Sequence, residues 1–175
     1  LEPVNARNDL VIQRFLQAAE MLQESAGEIV PVEISIGGPL TIASFLREIE
    51  LLLRDCRRNG DKVQKLLRII VDSQKSCIDA FAQYGVGIAM ADPVANPALI
   101  GPKLYEKFVF PYTKELTDYA LERTGKKVSL HMCGATYSIW KYIEQYQLNE
   151  ISLDNIVDLD RAARELGKKV PIAAM

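Results

Sequence analysis

Short apolar segments of strand character alternate with longer helical patterns along the whole chain, and no hairpin turn joins any two of the strand-like segments. Because a strand followed by a crossover helix re-enters the sheet in the same direction, this order predicts parallel βαβ units. The chain is therefore predicted to be an α/β protein with one parallel sheet. The predicted strands cover about residues 30–36, 86–91, 128–132, 150–153 and 170–175.

Helical periodicity fills the segments between these strands. The first helix carries apolar residues on one side, which predicts an amphipathic helix; they are Leu10, Val11, Phe15, Ala18, Ala19 and Leu22. Pro111 is predicted to kink the fourth helix after Phe110, because proline lacks an amide donor and crowds the preceding turn. The predicted helices cover about residues 9–25, 39–56, 61–85, 102–125, 136–147 and 158–166.

Two parallel architectures fit this order of elements. A doubly wound five-stranded sheet would normally carry a phosphate-binding motif, but neither GxGxxG nor GxxxxGK[ST] follows any strand. The other is a (β/α) barrel of TIM type, which needs about 250 residues for eight strands. The strand predicted over 170–175 has no covering helix after it, so residues 1–175 are expected to be a fragment of a single barrel domain. The N-terminal and C-terminal parts of the parent would then lie outside it, leaving a partial barrel of about five strands.

Composition narrows the possible classes of partner and compartment. A net charge of −2 gives no general attraction to nucleic acid or to an anionic membrane, and Arg54, Arg57 and Arg58 are expected to form a solvated helix end. Neither a long uncharged apolar run nor a basic, then apolar leader is present, so no membrane association and a cytoplasmic location are expected. The three widely spaced cysteines fit a reducing compartment.

The stretch SLHMCGATYSIW contains the only histidine of the chain and one of its three cysteines. Residues two apart in a strand project from the same face, so His131 and Cys133 point the same way at the strand's carboxyl end, where barrel enzymes place their chemistry. Imidazole and thiolate are both zinc ligands, and Gly134 allows a tight turn after them. Spacing alone leaves two interpretations open: part of a zinc site, or a core histidine beside an inert buried thiol.

Other strand ends carry further candidate residues. Gly37 and Gly38 follow the first strand, Asp92 follows the second and Asp154 follows the fourth. A carboxylate at such a position could orient a substrate or bond a metal-bound histidine, so these four are candidate substrate-binding residues. The alternative for each aspartate is a plain turn. No catalytic residue can be assigned from the pattern.

Four segments in order resemble the uroporphyrinogen decarboxylase superfamily, and most closely its corrinoid-dependent methyltransferases that act on coenzyme M or similar thiols. The resemblance implies an α/β barrel and zinc held by His131 and Cys133, with a third cysteine ligand expected beyond Met175. It also implies methyl transfer between a methylcorrinoid carried by a partner corrinoid protein and a small thiol acceptor. The segments are IGGPLTIASFL, ADPVANPALIGPKLYEKFVFPYTKEL, LHMCGATYSIWKYI and ISLDNIVDLDRAARELGKKVPIAAM.

Two alternatives to this function stay open. One is a decarboxylase that acts on a tetrapyrrole without metal; Leu40 stands where those enzymes carry a tryptophan, and Phe45 stands where they tend to carry a tyrosine. The other is a non-catalytic module that binds a corrinoid or a partner protein, with His131 and Cys133 as core residues. As a fragment, the chain is expected to be inactive alone, and the open edges of its sheet are expected to favour self-association.

Overall fold

A computed structural model of the chain describes residues 1–174, so Met175 of the last predicted strand lies outside the described residues. Five strands alternate with eight α-helices in this part of the chain. The strands are β1 (Glu33–Gly37), β2 (Gly87–Ala91), β3 (Val128–Met132), β4 (Leu148–Leu153) and β5 (Ile172–Ala174). The helices are α1 (Leu10–Ala26), α2 (Pro39–Arg47), α3 (Ile49–Arg58), α4 (Gly60–Ala82), α5 (Pro97–Phe108), α6 (Phe110–Thr124), α7 (Trp140–Ile143) and α8 (Leu159–Glu165).

All five strands are parallel and lie in the order β1-β2-β3-β4-β5, which confirms the predicted sheet. One face of the sheet is apolar and packs into the same buried cluster as the helices. The other face carries small and polar side chains that stay partly or fully exposed among the described residues, including Ser35, Ala89 and Ser129. Chain order and strand order coincide, as they do around a barrel.

The predicted helix over residues 39–56 is two helices. The chain breaks at Glu48, whose φ of 57° lies in a region that non-glycine residues rarely adopt. Arg47 Nε donates to Asp55 Oδ2 at 2.8 Å and ties the end of α2 to α3. Apolar periodicity continues across the break, so the pattern alone could not reveal it.

The predicted helix over residues 102–125 begins earlier and is interrupted. Pro97 starts α5 directly after Asn96, whose side chain caps the helix. The break falls at Val109, one residue before the predicted kink, and Pro111 lies in the first turn of α6, where no amide donor is needed.

The predicted helix over residues 136–147 is wrong in length. A 3₁₀ turn leads into the single turn of α7, and β4 then begins at Leu148, two residues before its predicted start. The amides of Gln145 and Tyr146 bond carbonyls three residues back, so the chain tightens instead of continuing the α-helix. Burial of the aromatic side chains, with Trp140 and Tyr146 each 5% exposed, produces a helix-like pattern without a long helix.

Helix α1 buries only part of the side that its apolar pattern marks. Leu16 and Ala19 are buried, whereas Leu10, Val11 and Phe15 are 81%, 62% and 56% exposed. Among residues 1–174, the large side chains of this apolar face stay more than half exposed. No helix in that range is long and apolar enough to cross a membrane.

The open surfaces lead to a prediction about assembly. β1 and β5 each pair on one side only within the described range, and the exposed face of α1 adds apolar surface. We expect the chain to self-associate in sedimentation velocity experiments at micromolar concentration. Phe15→Glu is expected to weaken the association, whereas Arg14→Glu, which removes no apolar side chain, should change it less. A single monomer boundary for the unaltered chain would contradict this expectation.

Candidate metal centre

The predicted pair of ligands comes together at the carboxyl end of β3. His131 is the fourth residue of the strand, and Cys133 follows directly after its last residue. The imidazole Nε2 lies 3.3 Å from Cys133 Sγ, and both side chains are half-buried. The two side chains therefore share one small region that solvent can reach.

This separation can be compared with what zinc requires. With a zinc–nitrogen distance of about 2.0–2.1 Å and a zinc–sulfur distance of about 2.3 Å, tetrahedral ligands lie about 3.6 Å apart. The observed 3.3 Å differs by only a few tenths of an ångström. His131 and Cys133 thus fit two positions of a zinc site with little side-chain movement.

The turn after Cys133 is fixed from both sides. Gly134 has a φ of +79°, and a Cβ added there would lie 1.9 Å from Asn96 Nδ2. On the other side, the Gly134 amide donates to Asp154 Oδ2 at 2.8 Å. Only glycine fits this turn, and the turn sets the direction in which Cys133 leaves the strand.

The charges around the pair act on the thiol. Burial raises the pKa of Cys133, and the Asp154 carboxylate raises it further. The amides of Gly134 and Ile156 hold the pKa of Asp154 below its usual range, so that carboxylate stays ionised at neutral pH. Without a cation, Cys133 is a neutral thiol that can donate its proton to His131 Nε2.

Ser152 was not predicted as a site residue, yet it contacts His131. Its Oγ lies 3.2 Å from His131 Nδ1, the ring nitrogen that does not contact Cys133. Ser152 and Asp154 are two residues apart at the end of β4, the same spacing that His131 and Cys133 show at the end of β3. That shared spacing was the available signal, but it required knowledge of which residues pair across the two strands.

The residues level with His131 are small. Strand register aligns Gly37, Ala91, His131, Ser152 and Ala173 across the sheet. Paired residues on neighbouring parallel strands point to the same face, so the positions beside the imidazole on β1 and β2 carry little or no side chain. This leaves open space next to the imidazole on the polar face.

Gly38 and Asp92 lie behind this space, on the helix-facing side of the sheet. Asp92 is 2% exposed, and its Oδ1 accepts from Thr41 N at 3.0 Å and Thr41 Oγ1 at 2.6 Å. A Cβ on Gly38 would lie 2.2 Å from the Asp92 side chain. The aspartate thus caps the first turn of α2 from the neighbouring strand, while its Oδ2 has no hydrogen-bond partner within the described range.

The buried carboxyl predicts a pH-dependent stability. Burial raises the pKa of Asp92 to about 6 from an ordinary 3.8. The folded state therefore holds a proton between these pH values that the unfolded state releases, so stability present below pH about 4 falls as pH rises through about 6, by about 3 kcal/mol. Asp92→Asn should become more stable relative to wild type by about that amount between pH 4 and pH 7, measured by urea unfolding.

Asp160→Asn, at an exposed position on α8, is the control for this measurement. It measures the pH dependence that removal of a surface carboxylate produces. A pH dependence for Asp92→Asn no larger than that of this control would show that Asp92 titrates in the folded protein as it does in the unfolded chain.

The site in this part of the chain offers two candidate ligands, His131 and Cys133. Cys56 is buried on α3 and Cys77 is half-buried on α4, and both are free thiols. Within residues 1–174, no group of three or more His, Cys, Asp or Glu side chains is arranged to hold a metal ion. A closed zinc site would need at least one further ligand.

Comparison with known proteins places the chain in a family. A family model described as uroporphyrinogen decarboxylase (URO-D) matches residues 1–173. The methylcobamide:CoM methyltransferase MtbA of Methanosarcina mazei is 31% identical over 152 residues, which cover 86% of this chain and 44% of that protein. The methylcobamide:CoM methyltransferase MtaA of Methanosarcina barkeri is 28% identical, over 73% of this chain and 37% of that protein.

A solved structure supports the same fold. A structure described as a methyltransferase from Methanosarcina mazei superposes with a TM-score of 0.82, over 99% of this chain and 54% of that one, at 20% identity. This confirms the predicted fold class. The chain spans less than half the length of the curated relatives that it matches. Since the family match extends over nearly the whole sequence, this chain belongs to the uroporphyrinogen decarboxylase (URO-D) family.

Proposed function

We propose that the chain is part of a longer enzyme that transfers a methyl group between a protein-bound methylcorrinoid and a thiol acceptor, with zinc as cofactor. The observation that carries the proposal is the 3.3 Å approach of His131 Nε2 to Cys133 Sγ at the carboxyl end of β3. The names of the curated relatives, methylcobamide:CoM methyltransferases, support this reaction. Their greater length supports a parent that supplies the third ligand.

The residues of this chain have defined tasks in the proposed reaction. His131 offers the lone pair of Nε2, and Cys133 must lose its proton to become a ligand. Bound zinc would lower the pKa of an acceptor thiol, ordinarily about 8.5, and hold it as a thiolate. The acceptor sulfur would then take the methyl group, and the electron pair of the broken cobalt–carbon bond would stay on the corrinoid.

The acceptor would enter the open space beside His131. Gly37 and Ala91 leave room there because their side chains are absent or small. We propose that Gly37 and Asp154 line the acceptor site, while Asp92 and Gly38 hold the turn behind Gly37. The partner corrinoid protein would dock over the carboxyl ends of the strands, where the half-buried pair lies.

The family description also names a decarboxylase, so metal-free decarboxylation of a tetrapyrrole is the alternative reaction. The tryptophan and the tyrosine expected of such a decarboxylase are replaced here by Leu40 and Phe45. Leu40 is buried in the core at 1% exposure, and Phe45 is 83% exposed to solvent. A non-catalytic binding module is the second alternative, in which His131→Ala would lower stability without changing metal content.

An activity comparison in the full-length enzyme separates these functions. We expect methylation of a small thiol by methylcobalamin, and no release of carbon dioxide from uroporphyrinogen. Removal of metal with a chelator should abolish thiol methylation, and added Zn²⁺ should restore it. Chelator-resistant release of carbon dioxide would establish the decarboxylase instead, and loss of neither activity on chelation would exclude a role for zinc.

A further inference from the structure

We propose that Ser152 is a positioning residue that fixes the tautomer of His131, with the proton on Nδ1 and the lone pair on Nε2. The use of that lone pair for zinc rests on the function proposed above. The hydrogen bond itself does not depend on that function, because both residues that form it belong to this chain. Ser152 Oγ and His131 Nδ1 lie 3.2 Å apart.

The pairing of β3 with β4 brings Ser152 to this position through a register shift. Val128 pairs with Leu148, but Ser129 pairs with Glu150, so Asn149 is an extra residue in β4. Because a slip of one residue moves every following side chain to the opposite face, the unshifted register would place Ile151 beside His131. Bulges are rare between parallel strands, and they recur next to active sites, where they redirect a side chain.

The bulge places one side chain of β4 in the core and the next one on the polar face beside His131. Leu148 and Ile151 are both buried on the helix-facing side, although a regular strand would put residues three apart on opposite faces. After the shift, Ile151 stays in the core and Ser152 lies on the polar face, level with His131. The hydroxyl is therefore at the position where it can contact the imidazole nitrogen that faces away from Cys133.

The contacts on the two ring nitrogens agree on one tautomer. Ser152 Oγ lies 3.2 Å from Nδ1 and Cys133 Sγ lies 3.3 Å from Nε2, and a hydroxyl oxygen is a better hydrogen-bond acceptor than a sulfur. In neutral imidazole the single ring proton is therefore placed on Nδ1, which donates to Ser152 Oγ, and Nε2 accepts from the thiol of Cys133. The nitrogen that faces Cys133 is then the one with a lone pair to give to a metal.

The tautomer can be observed directly because His131 is the only histidine of the 175-residue chain. We expect ¹⁵N nuclear magnetic resonance of the neutral imidazole, recorded where the nitrogen shifts no longer change with pH, to show the Nδ1–H tautomer as the major form. Ser152→Ala should reduce it to the minor form, and Ser152→Thr, which keeps the hydroxyl, should retain it. Ser129→Ala is the matched control, since Ser129 Oγ donates to Glu33 Oε1 and not to His131.

Two results would overturn the proposal: a major Nε2–H tautomer in the wild-type chain, or a major Nδ1–H tautomer that Ser152→Ala leaves unchanged. The first of these requires no variant, so a Ser152→Ala chain that fails to fold does not remove the test. In the full-length enzyme, Ser152→Ala should lower Zn²⁺ affinity about 10-fold, as loss of a partner behind a ligating histidine commonly does. Absence of zinc from the wild-type enzyme would refute the proposed function and leave the tautomer result standing.

Discussion

Cys133→Ala in the full-length enzyme is expected to lower the rate of thiol methylation at least about 100-fold. Loss of a residue that only supports a metal ligand costs up to about 100-fold, and loss of the ligand itself should cost no less. The expectation follows from geometry, because Cys133 Sγ is the only sulfur within hydrogen-bond range of His131 Nε2 among residues 1–174. The measurement is the initial rate of methyl transfer from methylcobalamin to a small thiol, together with zinc content. We expect both to fall.

Cys77→Ala is the matched control, since it removes a half-buried thiol from α4 without touching the strand ends. It should keep its zinc and most of its activity. Equal losses in the two variants would indicate a general effect of thiol removal on folding. Full activity in Cys133→Ala would exclude Cys133 as a ligand.

Gly134→Ala has the second largest expected effect, on stability and on metal binding together. A side chain at φ +79° is strained, and the added Cβ would lie 1.9 Å from Asn96 Nδ2. Strain and overpacking together are expected to lower the free energy of unfolding by more than about 2 kcal/mol. Because relief of the clash would move the turn that carries Cys133, Zn²⁺ affinity should also fall at least 10-fold, as for other disturbed ligand supports.

Gly85→Ala separates the strain from the clash. Gly85 has a similar φ of +67°, but an added Cβ would meet nothing within 4 Å. The expected loss of stability is about 1 kcal/mol from backbone strain alone. Zn²⁺ affinity should not change, since Gly85 precedes the opposite end of β2. Equal effects of the two substitutions on both quantities would contradict the role given to the turn after Cys133.

The sheet and the approach of His131 to Cys133 could be predicted because they depend on short-range patterns. Strand character at five places, each followed by helical periodicity, determines parallel pairing whatever the details of the helices. The spacing of His131 and Cys133 determines a shared face, because side chains alternate along a strand. Glycine directly after Cys133 predicted a tight turn, and Gly134 forms one.

The features that could not be predicted depend on pairing between distant residues. The extra residue at Asn149 is visible only when β3 and β4 are aligned, so Ser152 was missed. Asp92 was placed correctly at the end of β2, but its orientation toward α2 is set by Thr41, 51 positions earlier in the chain. The short α7 depends on which aromatic side chains the core accepts, and local periodicity does not carry that information.

X-ray absorption at the zinc edge of the full-length enzyme, with and without a thiol acceptor, tests the central claim most directly. We predict a zinc site with nitrogen at about 2.0–2.1 Å and sulfur at about 2.3 Å, which gains one further sulfur when the thiol is added. In the His131→Ala variant the nitrogen contribution should fall. A zinc site without sulfur ligands, or one whose sulfur count does not change on addition of the thiol, would contradict the assignment of this site to thiol methylation.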